Sequence, residues 1–229
     1  MRPGSGQVLW RKSNYWTMAY RLMHDNCPVH ILRVNAMQDF HFDRARALLA
    51  HAEEIVDAQA VQAAVRRVAD TLNERFGNPD DTAFPLVLGV MGGAVVFTGQ
   101  LLPQLRFPLE FDYIHVTRYG DDDHGGEVVW KVIPRPNVAG RTVIVVDDIL
   151  DEGQTLAEVK RRLLDMGAAE VIIVVFADKA LKRPKPVQAD IVGLTIPNKF
   201  VVGFGMDVYG YWRNLPGLWV IRQEDLKAA

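Results

Sequence analysis

Hydrophobic and polar positions along this chain alternate between two periods. Leu48, Leu49, Ala52 and Ile55 share one face at helical spacing, which predicts a helix from Asp43 onward. A second helix is predicted to start near Asp57, to bury Val61, Val65, Val68, Ala69 and Leu72, and to end at Gly77. Its other face carries Arg66, Arg67, Asp70, Glu74 and Arg75, the composition of a solvated surface. After a turn signal at 78–81 (NPDD), the run 85–90 (PLVLGV) reads as a buried strand. Gly92 and Gly93 turn it into a helix holding Val95, Val96, Leu101 and Leu102. Strands are predicted over 107–116 and 128–133. Between them, 117–127 holds Arg118, Tyr119, three consecutive aspartates, His124 and three glycines, which predicts a mobile excursion or lid. Residues 143–146 form a strand buried on both faces. Leu156, Val159, Leu163 and Leu164 then repeat at helical spacing until Met166 and Gly167 stop the helix. Further strands are read at 171–176 and 191–194, separated by a basic loop at 179–186. Strands alternating with helices predict an α/β fold with an open, mostly parallel twisted sheet flanked by helices.

Composition narrows the class without choosing a function. A chain of 229 residues, 49% hydrophobic and 24% charged, with mean hydropathy near zero, fits one soluble α/β domain with room for an appendage. A net charge of −2 gives no global attraction to nucleic acid or to an anionic membrane, and no apolar run is long enough to span a bilayer. Cys27 is the only cysteine, so an intrachain disulfide is excluded and a reducing, cytoplasmic setting is expected. Residues 1–36 depart from the rest, with Arg2, Arg11, Lys12, Arg21 and Arg33 against the single acid Asp25. Trp10, Tyr15, Trp16 and Tyr20 are scattered there without a period, and no apolar core of a signal peptide appears. A basic arm for an anionic partner, a targeting sequence and an extension upstream of Met37 are the competing readings. The last is preferred, so 1–36 is expected to be a poorly ordered extension and 37–229 a single domain.

Chemistry concentrates in the run 143–156 (VIVVDDILDEGQTL). Asp147, Asp148 and Asp151 arrive at the strand's end, followed by Glu152, Gly153, Gln154 and Thr155. The bland reading is helix capping with a favourable dipole interaction, or the paired aspartates of a receiver domain. Three carboxylates with Gly and Thr in nine residues exceed what capping needs. Close backbone approach at Gly153, the Thr155 hydroxyl and the first helical N–H groups suit a phosphate monoester; the carboxylates suit sugar hydroxyls, Mg²⁺ or proton transfer. Four other places carry a functional reading beside a structural one. Gly92 and Gly93 are a tight turn or a set of bare N–H groups for a second phosphate. Lys179 is a solvated lysine or, at a strand's carboxyl end, a donor to a ligand carbonyl. Phe200 and Val201 are core or a stacking face for a planar base. Asp207 and Arg213 are a surface ion pair, or a metal-binding carboxylate and a pyrophosphate-binding guanidinium.

The run 143–156 resembles the phosphoribosyl pyrophosphate signature of the type I phosphoribosyltransferases. Lys179, the segment 198–207 (NKFVVGFGMD) and Tyr211-Trp212-Arg213 are similar to the C-terminal half of the hypoxanthine–guanine phosphoribosyltransferases, and 116–120 (VTRYG) to their flexible catalytic loop. The resemblance implies a small hood built from N- and C-terminal segments, and purine salvage: transfer of 5-phosphoribosyl from phosphoribosyl pyrophosphate to hypoxanthine or guanine. It implies that Asp147 and Asp148 hold the ribose hydroxyls and that Asp151, Glu152, Gly153, Gln154 and Thr155 wrap the 5-phosphate. Asp151 would also accept the proton from purine N7. Lys179 would donate to the exocyclic oxygen, Phe200 would stack on the ring, and Val201 and Asp207 would border the base. Gly92, Gly93, Arg118, Tyr119 and Arg213 would contact pyrophosphate, and Asp207 and Asp148 would bind Mg²⁺. The family also implies a homodimer or homotetramer, with no nucleic acid or membrane as partner. Met91 stands where many members have lysine, and Arg118 where serine is usual. The alternative is a nucleic-acid-binding regulator that senses phosphoribosyl pyrophosphate, which would show a winged helix or a basic face.

Overall fold

The computed structural model describes residues 41–78, 84–119 and 127–228. The chain divides into two compact units, Met1–Arg46 and Ala47–Ala229. The first contributes only the helical residues 41–46 to the described chain, so the expectation for 1–36 lies outside it, as do most of the turn at 78–81 and the centre of the lid.

In the second unit the helical turn ends at Leu49, and Ile55 lies in a strand, β1 (Glu53–Val56), rather than on a helix. Tertiary pairing overrides the local spacing here, because β1 is recruited antiparallel to β9 (Leu218–Val220). The long helix follows as predicted. In α1 (Ala58–Phe76), Asp57 caps the first turn by accepting from the Ala60 N–H at 2.7 Å, and the Gly77 N–H closes the last by donating to the Asn73 carbonyl at 2.7 Å. All five residues of its predicted apolar stripe are buried.

Six strands form the main sheet: β2 (Leu86–Met91), β3 (Glu110–Tyr119), β4 (Glu127–Val132), β5 (Thr142–Leu150), β6 (Glu170–Ala180) and β7 (Ile191–Pro197). Their order is β4-β3-β2-β5-β6-β7, all parallel except β4. The pleat sorts the core into two layers. Val87, Ile144, Val146, Ile172, Val174 and Phe176 face α1 and the Phe97 side of α2 (Ala94–Leu101). Leu86, Leu88, Val143, Val145, Ile173 and Val175 face Leu156, Val159 and Leu163 of α3 (Gln154–Asp165). Leu164, expected on that stripe, is exposed; it lies one position round the helix from Leu163 and misses the sheet.

A three-stranded antiparallel sheet, β1-β9-β8 with β8 at Val201–Val202, forms the expected hood from early and late segments. It joins the main core through Phe204, whose ring centroid lies 4.4 Å from that of Phe176. The C-terminal helix α4 (Gln223–Ala228) completes the hood, Leu226 packing beside Leu48, Val202, Val208 and Ile221.

Several strands extend beyond their hydrophobic signal. The ladder carries β5 past the apolar run through Asp147 to Leu150, and β6 past Phe176 through Lys179, which pairs with Ile196. Asp147, Asp148 and Lys179 therefore stand within strands, not in loops. Backbone hydrogen bonds from a neighbouring strand sustain a strand through polar residues, which a pattern of side chains does not record. Likewise Thr117–Tyr119 continue β3 and Glu127 opens β4, so of the expected lid only 120–126 lies outside the described strands.

Successive strands diverge at β2, β3 lying to one side and β5 to the other. The crevice beyond the carboxyl ends of β2 and β5 is thus the topological switch point of the sheet.

One buried charge anchors the opposite part of the sheet. Asp112 of β3 accepts from the Arg135 guanidinium at 2.7 Å and from the Arg135 backbone N–H at 2.8 Å, and the Arg135 side-chain hydrogen bond is the main reason its carboxyl is held below the usual range. A lowered folded-state value adds stability above the unfolded value that is lost on acidification. Asp112→Asn should lower stability by about 1–2 kcal/mol at pH 7, a fall of roughly 2–8 °C in Tm for a domain of this size, with the difference from wild type shrinking towards pH 3. Thermal denaturation at both pH values checks this.

Candidate active site

Asp147 and Asp148 end the buried part of β5, each only 9% exposed. The Asp148 N–H donates to Asp147 Oδ1 at 2.9 Å. Burial drives the Asp147 carboxyl well above its ordinary range, and the neighbouring Asp148 charge adds to this. Burial also raises Asp148, partly offset by hydrogen bonds and by the charge of Arg213. These are costly groups to place here, and two glycines make the room. A side chain at Gly93 would put Cβ 1.9 Å from Asp148 Oδ2, and one at Gly205, where φ is +104°, would put Cβ 2.1 Å from the Gly93 carbonyl oxygen. The Met91–Gly92 peptide leading into this contact is cis.

Past Leu150 the chain turns into α3. Gly153 adopts φ +89° and caps the helix without any side-chain hydrogen bond, so the first N–H groups of α3 remain available to a ligand. Asp147 to Leu156 line a cavity of about 370 Å³. Arranged this way, a helix N-terminus, a left-handed glycine and the Thr155 side chain can hold a phosphate dianion, with the Asp147–Asp148 pair at its rim for hydroxyls or a cation.

Beside it Lys179 and Asp151 meet. Lys179, 9% exposed, donates from Nζ to Asp151 Oδ2 at 2.6 Å, while the Asp151 side chain is about half exposed. A second cavity, of about 660 Å³, shares Asp151 and Glu152 with the first and continues along Ala180, Leu181, Lys182, Arg183, Pro197 and Asn198. Phe200 follows this rim and is 41% exposed, so its ring is not core and can receive a planar ligand. Val201 is buried, paired with Val220 across the hood. On the Gly93 side, Arg213 donates from Nη1 to the Gly205 carbonyl at 2.6 Å and from Nη2 to Asp207 Oδ1 at 2.6 Å. Asp207 also accepts from the Gly210 N–H at 2.6 Å. The ion-pair reading of Asp207 and Arg213 and the proximity that their functional reading needs thus hold together.

Of the residues expected from sequence, 147–155 line one cavity, Gly93 meets Asp148 and, through Gly205, Arg213 and Asp207, and Lys179 meets Asp151; Phe200 and Val201 lie at the start of the hood strand β8. The Glu152 carboxylate is paired with Arg183. Arg118 and Tyr119 lie at the last positions of β3, and their side chains are outside what is described. Among the described residues no three His, Cys, Asp or Glu side chains converge as a metal cluster.

Sequence reasoning missed four contributors. Gly205 had a signal, the pair Gly203 and Gly205 around Phe204, all three at positive φ. Asp178, Arg183 and Lys185 had only a weak one. The basic loop reads as solvated, yet Lys185, set between Pro184 and Pro186, is 11% exposed on its side chain and donates to the Leu150 carbonyl at 2.7 Å and to Asp178 at 2.5 Å.

An acidic loop and a helix N-terminus at the switch point of a mostly parallel sheet, flanked by an acid–lysine pair and an exposed aromatic, place the protein in the doubly wound α/β class, whose ligands bind at such crevices. Comparison with known proteins narrows this. The phosphoribosyl transferase domain family matches residues 51–208. A hypoxanthine-guanine phosphoribosyltransferase of Bacillus subtilis is 33% identical over 171 residues, covering 73% of this chain and 92% of that protein. A bifunctional protein TilS/HprT of Listeria monocytogenes is 31% identical over 227 residues; 96% of this chain is covered, and the chain spans only 33% of that relative's length. A crystal structure of a hypoxanthine phosphoribosyltransferase from Staphylococcus aureus superposes with a TM-score of 0.69 at 25% identity, covering 75% of this chain and 92% of that one. The chain belongs to the phosphoribosyl transferase domain family, among the hypoxanthine-guanine phosphoribosyltransferases.

The buried aspartate pair has a measurable cost. A carboxyl raised on folding exacts no penalty below its unfolded value; the penalty grows as pH rises through the folded value and is complete above it. Asp147→Asn should therefore raise the Tm of the free protein at pH 8, by about 2–8 °C for a gain of about 1–2 kcal/mol, and the gain should fade towards pH 4. A loss of Tm at pH 8 would count against this account of the pair.

Proposed function

We propose that this protein is a purine salvage enzyme that transfers 5-phosphoribosyl from phosphoribosyl pyrophosphate to hypoxanthine or guanine, giving the 5′-monophosphate and pyrophosphate. The observation that carries the reading is the Lys179–Asp151 pair, 2.6 Å apart beside the phosphate cavity. A 6-oxopurine presents a carbonyl oxygen next to an N–H donor. That edge fits a site holding one ammonium donor and one carboxylate acceptor side by side, and its entry would part the pair without leaving either charge unsatisfied. Relatives named as transferases support this reading over the regulator.

In this mechanism the helical N–H groups after Gly153 and the Thr155 hydroxyl bind the 5-phosphate, and Asp147 and Asp148 receive the ribose hydroxyls. Phe200 stacks on the base and Lys179 holds its exocyclic oxygen. N9 of the purine forms a bond to the anomeric carbon as the bond from that carbon to the pyrophosphate oxygen breaks, and the N7 proton passes to Asp151. Positive charge developing on the ribose is stabilised by the surrounding carboxylates, and Arg213 with the Gly92 and Gly93 N–H groups receives the departing pyrophosphate. Asp148 and Asp207 would hold Mg²⁺. These hard oxygen donors suit that ion, which commonly binds through one or two carboxylates and completes its shell with water and substrate phosphate. When bound it neutralises leaving-group charge.

The resemblance further supports a homodimer or homotetramer in the cytoplasm. Phe111 and Tyr113 on β3 supply exposed apolar surface for such contacts. No helix among the described residues is long and apolar enough to cross a membrane.

Steady-state assays with phosphoribosyl pyrophosphate, Mg²⁺ and four bases test the reading. Hypoxanthine or guanine should be turned over far better than adenine, whose amine meets the Lys179 ammonium donor to donor. Adenine as the best substrate would refute the role of Lys179. Asp151→Asn should lower kcat by about 10²-fold or more while phosphoribosyl pyrophosphate still binds, the size of effect expected for losing a general base.

A further inference from the structure

The loop between β6 and β7 runs beneath the phosphate loop and touches it at successive points. Lys185 Nζ donates to the Leu150 carbonyl, the last β5 residue before Asp151, at 2.7 Å, and to the Asp178 carboxylate of β6 at 2.5 Å. Arg183 pairs with Glu152. At Gly153 the two loops are in van der Waals range: a Cβ built there would lie 3.3 Å from Pro186 Cδ and 3.4 Å from Lys185 Cβ. Residues 150, 152 and 153 are thus each held from below, by a charged hydrogen bond, an ion pair and close packing.

The chemistry of Lys185 is unlike that of a surface lysine. Its side chain is 11% exposed, and its ammonium satisfies one backbone carbonyl and one carboxylate. Such a charge-assisted contact is stronger than a neutral one and fixes a carbonyl's direction. The direction matters because the peptide after Leu150 begins the loop whose N–H groups must converge on one phosphate. Asp178 and Lys179 are adjacent strand residues and project to opposite faces, so the brace under the phosphate loop and the lysine of the Asp151 pair are separate devices on one strand. Arg183 meanwhile offsets the carboxylate of Glu152, which would otherwise repel an arriving dianion.

We infer that the β6–β7 loop is a brace that pre-shapes the phosphate loop, with Lys185 as its positioning residue and a phosphorylated sugar as the ligand whose binding it serves. The inference rests on the proposed transfer for its ligand but not for its structural core. Prearranged N–H groups spend less binding energy on ordering, so loss of the brace weakens the phosphorylated substrate and leaves the chemistry largely intact.

The test compares wild type with Lys185→Met, which keeps the aliphatic stem and removes the donor. In the free proteins, amide hydrogen exchange of residues 157–160, the first hydrogen-bonded turn of α3, should rise about tenfold in the variant, while the buried face of α1 exchanges as before. In turnover, KM for phosphoribosyl pyrophosphate should rise about tenfold, with kcat and KM for the base changed less than about threefold. Unchanged exchange at 157–160 would overturn the brace whatever the activity. So would a variant whose kcat and both KM values fall or rise together, the mark of general destabilisation. A wild type that turns over no purine would overturn the proposed transfer instead, and the exchange result would still decide the brace.

Discussion

Two adjacent carboxylates held out of water at the end of a central parallel strand are the constraint on which this site depends. Nothing in the free protein neutralises Asp147 and Asp148 fully; burial raises both, and their mutual charge adds to the strain on Asp147. The surrounding structure keeps them there by subtraction. Gly93 lacks the side chain that would collide with Asp148, and Gly205 the one that would collide with the Gly93 backbone. A site built this way is less stable empty than filled, because a sugar, a cation or both supply the partners that water no longer can. Stability is given up locally so that interaction energy appears when the ligand does.

The other charges follow a complementary rule, each being paired across two elements. Lys179 meets Asp151, Arg183 meets Glu152, Lys185 meets Asp178, and Arg213 meets Asp207. Three of the four cations come from β6 and the loop after it, so one strand–loop unit sets the electrostatics beneath the phosphate loop. The hood contributes the fourth, along with Phe200. The surfaces proposed for phosphate, base and leaving group are therefore carried by different parts of the chain.

Much of this was legible from the residues. The stripe of α1, its cap at Asp57, the strands 85–90 and 143–146 and the turn at Gly153 follow from local periodicity and backbone preference, which need no tertiary context. The run 143–156 and Lys179 pointed to the chemistry through their resemblance to the type I phosphoribosyltransferases, residue types alone leaving helix capping open. What was not legible lay at boundaries and in loops. Ile55 kept a helical spacing yet went to a strand, because β9 offered it partners from far along the chain. Lys185 looked like one more lysine in a basic loop; its burial comes with the packing of Lys185 and Pro186 against Gly153 and with its bonds to Leu150 and Asp178.

By itself, then, the sequence determined the alternation of strands and helices, the faces they bury and the residue types that can handle a sugar phosphate and a 6-oxopurine. Those properties are local: they depend on φ/ψ preference, side-chain period and chemical type. Only the tertiary structure decided that Asp147, Asp148 and Lys179 are strand residues, that Asp151 and Lys179 are in contact, that Asp148 rests on Gly93, and which lysine of the β6–β7 loop is buried. Each of these is set by ladder hydrogen bonds and packing between separate segments, the pair Lys179–Asp151 joining residues 28 apart, and no local pattern encodes such contacts.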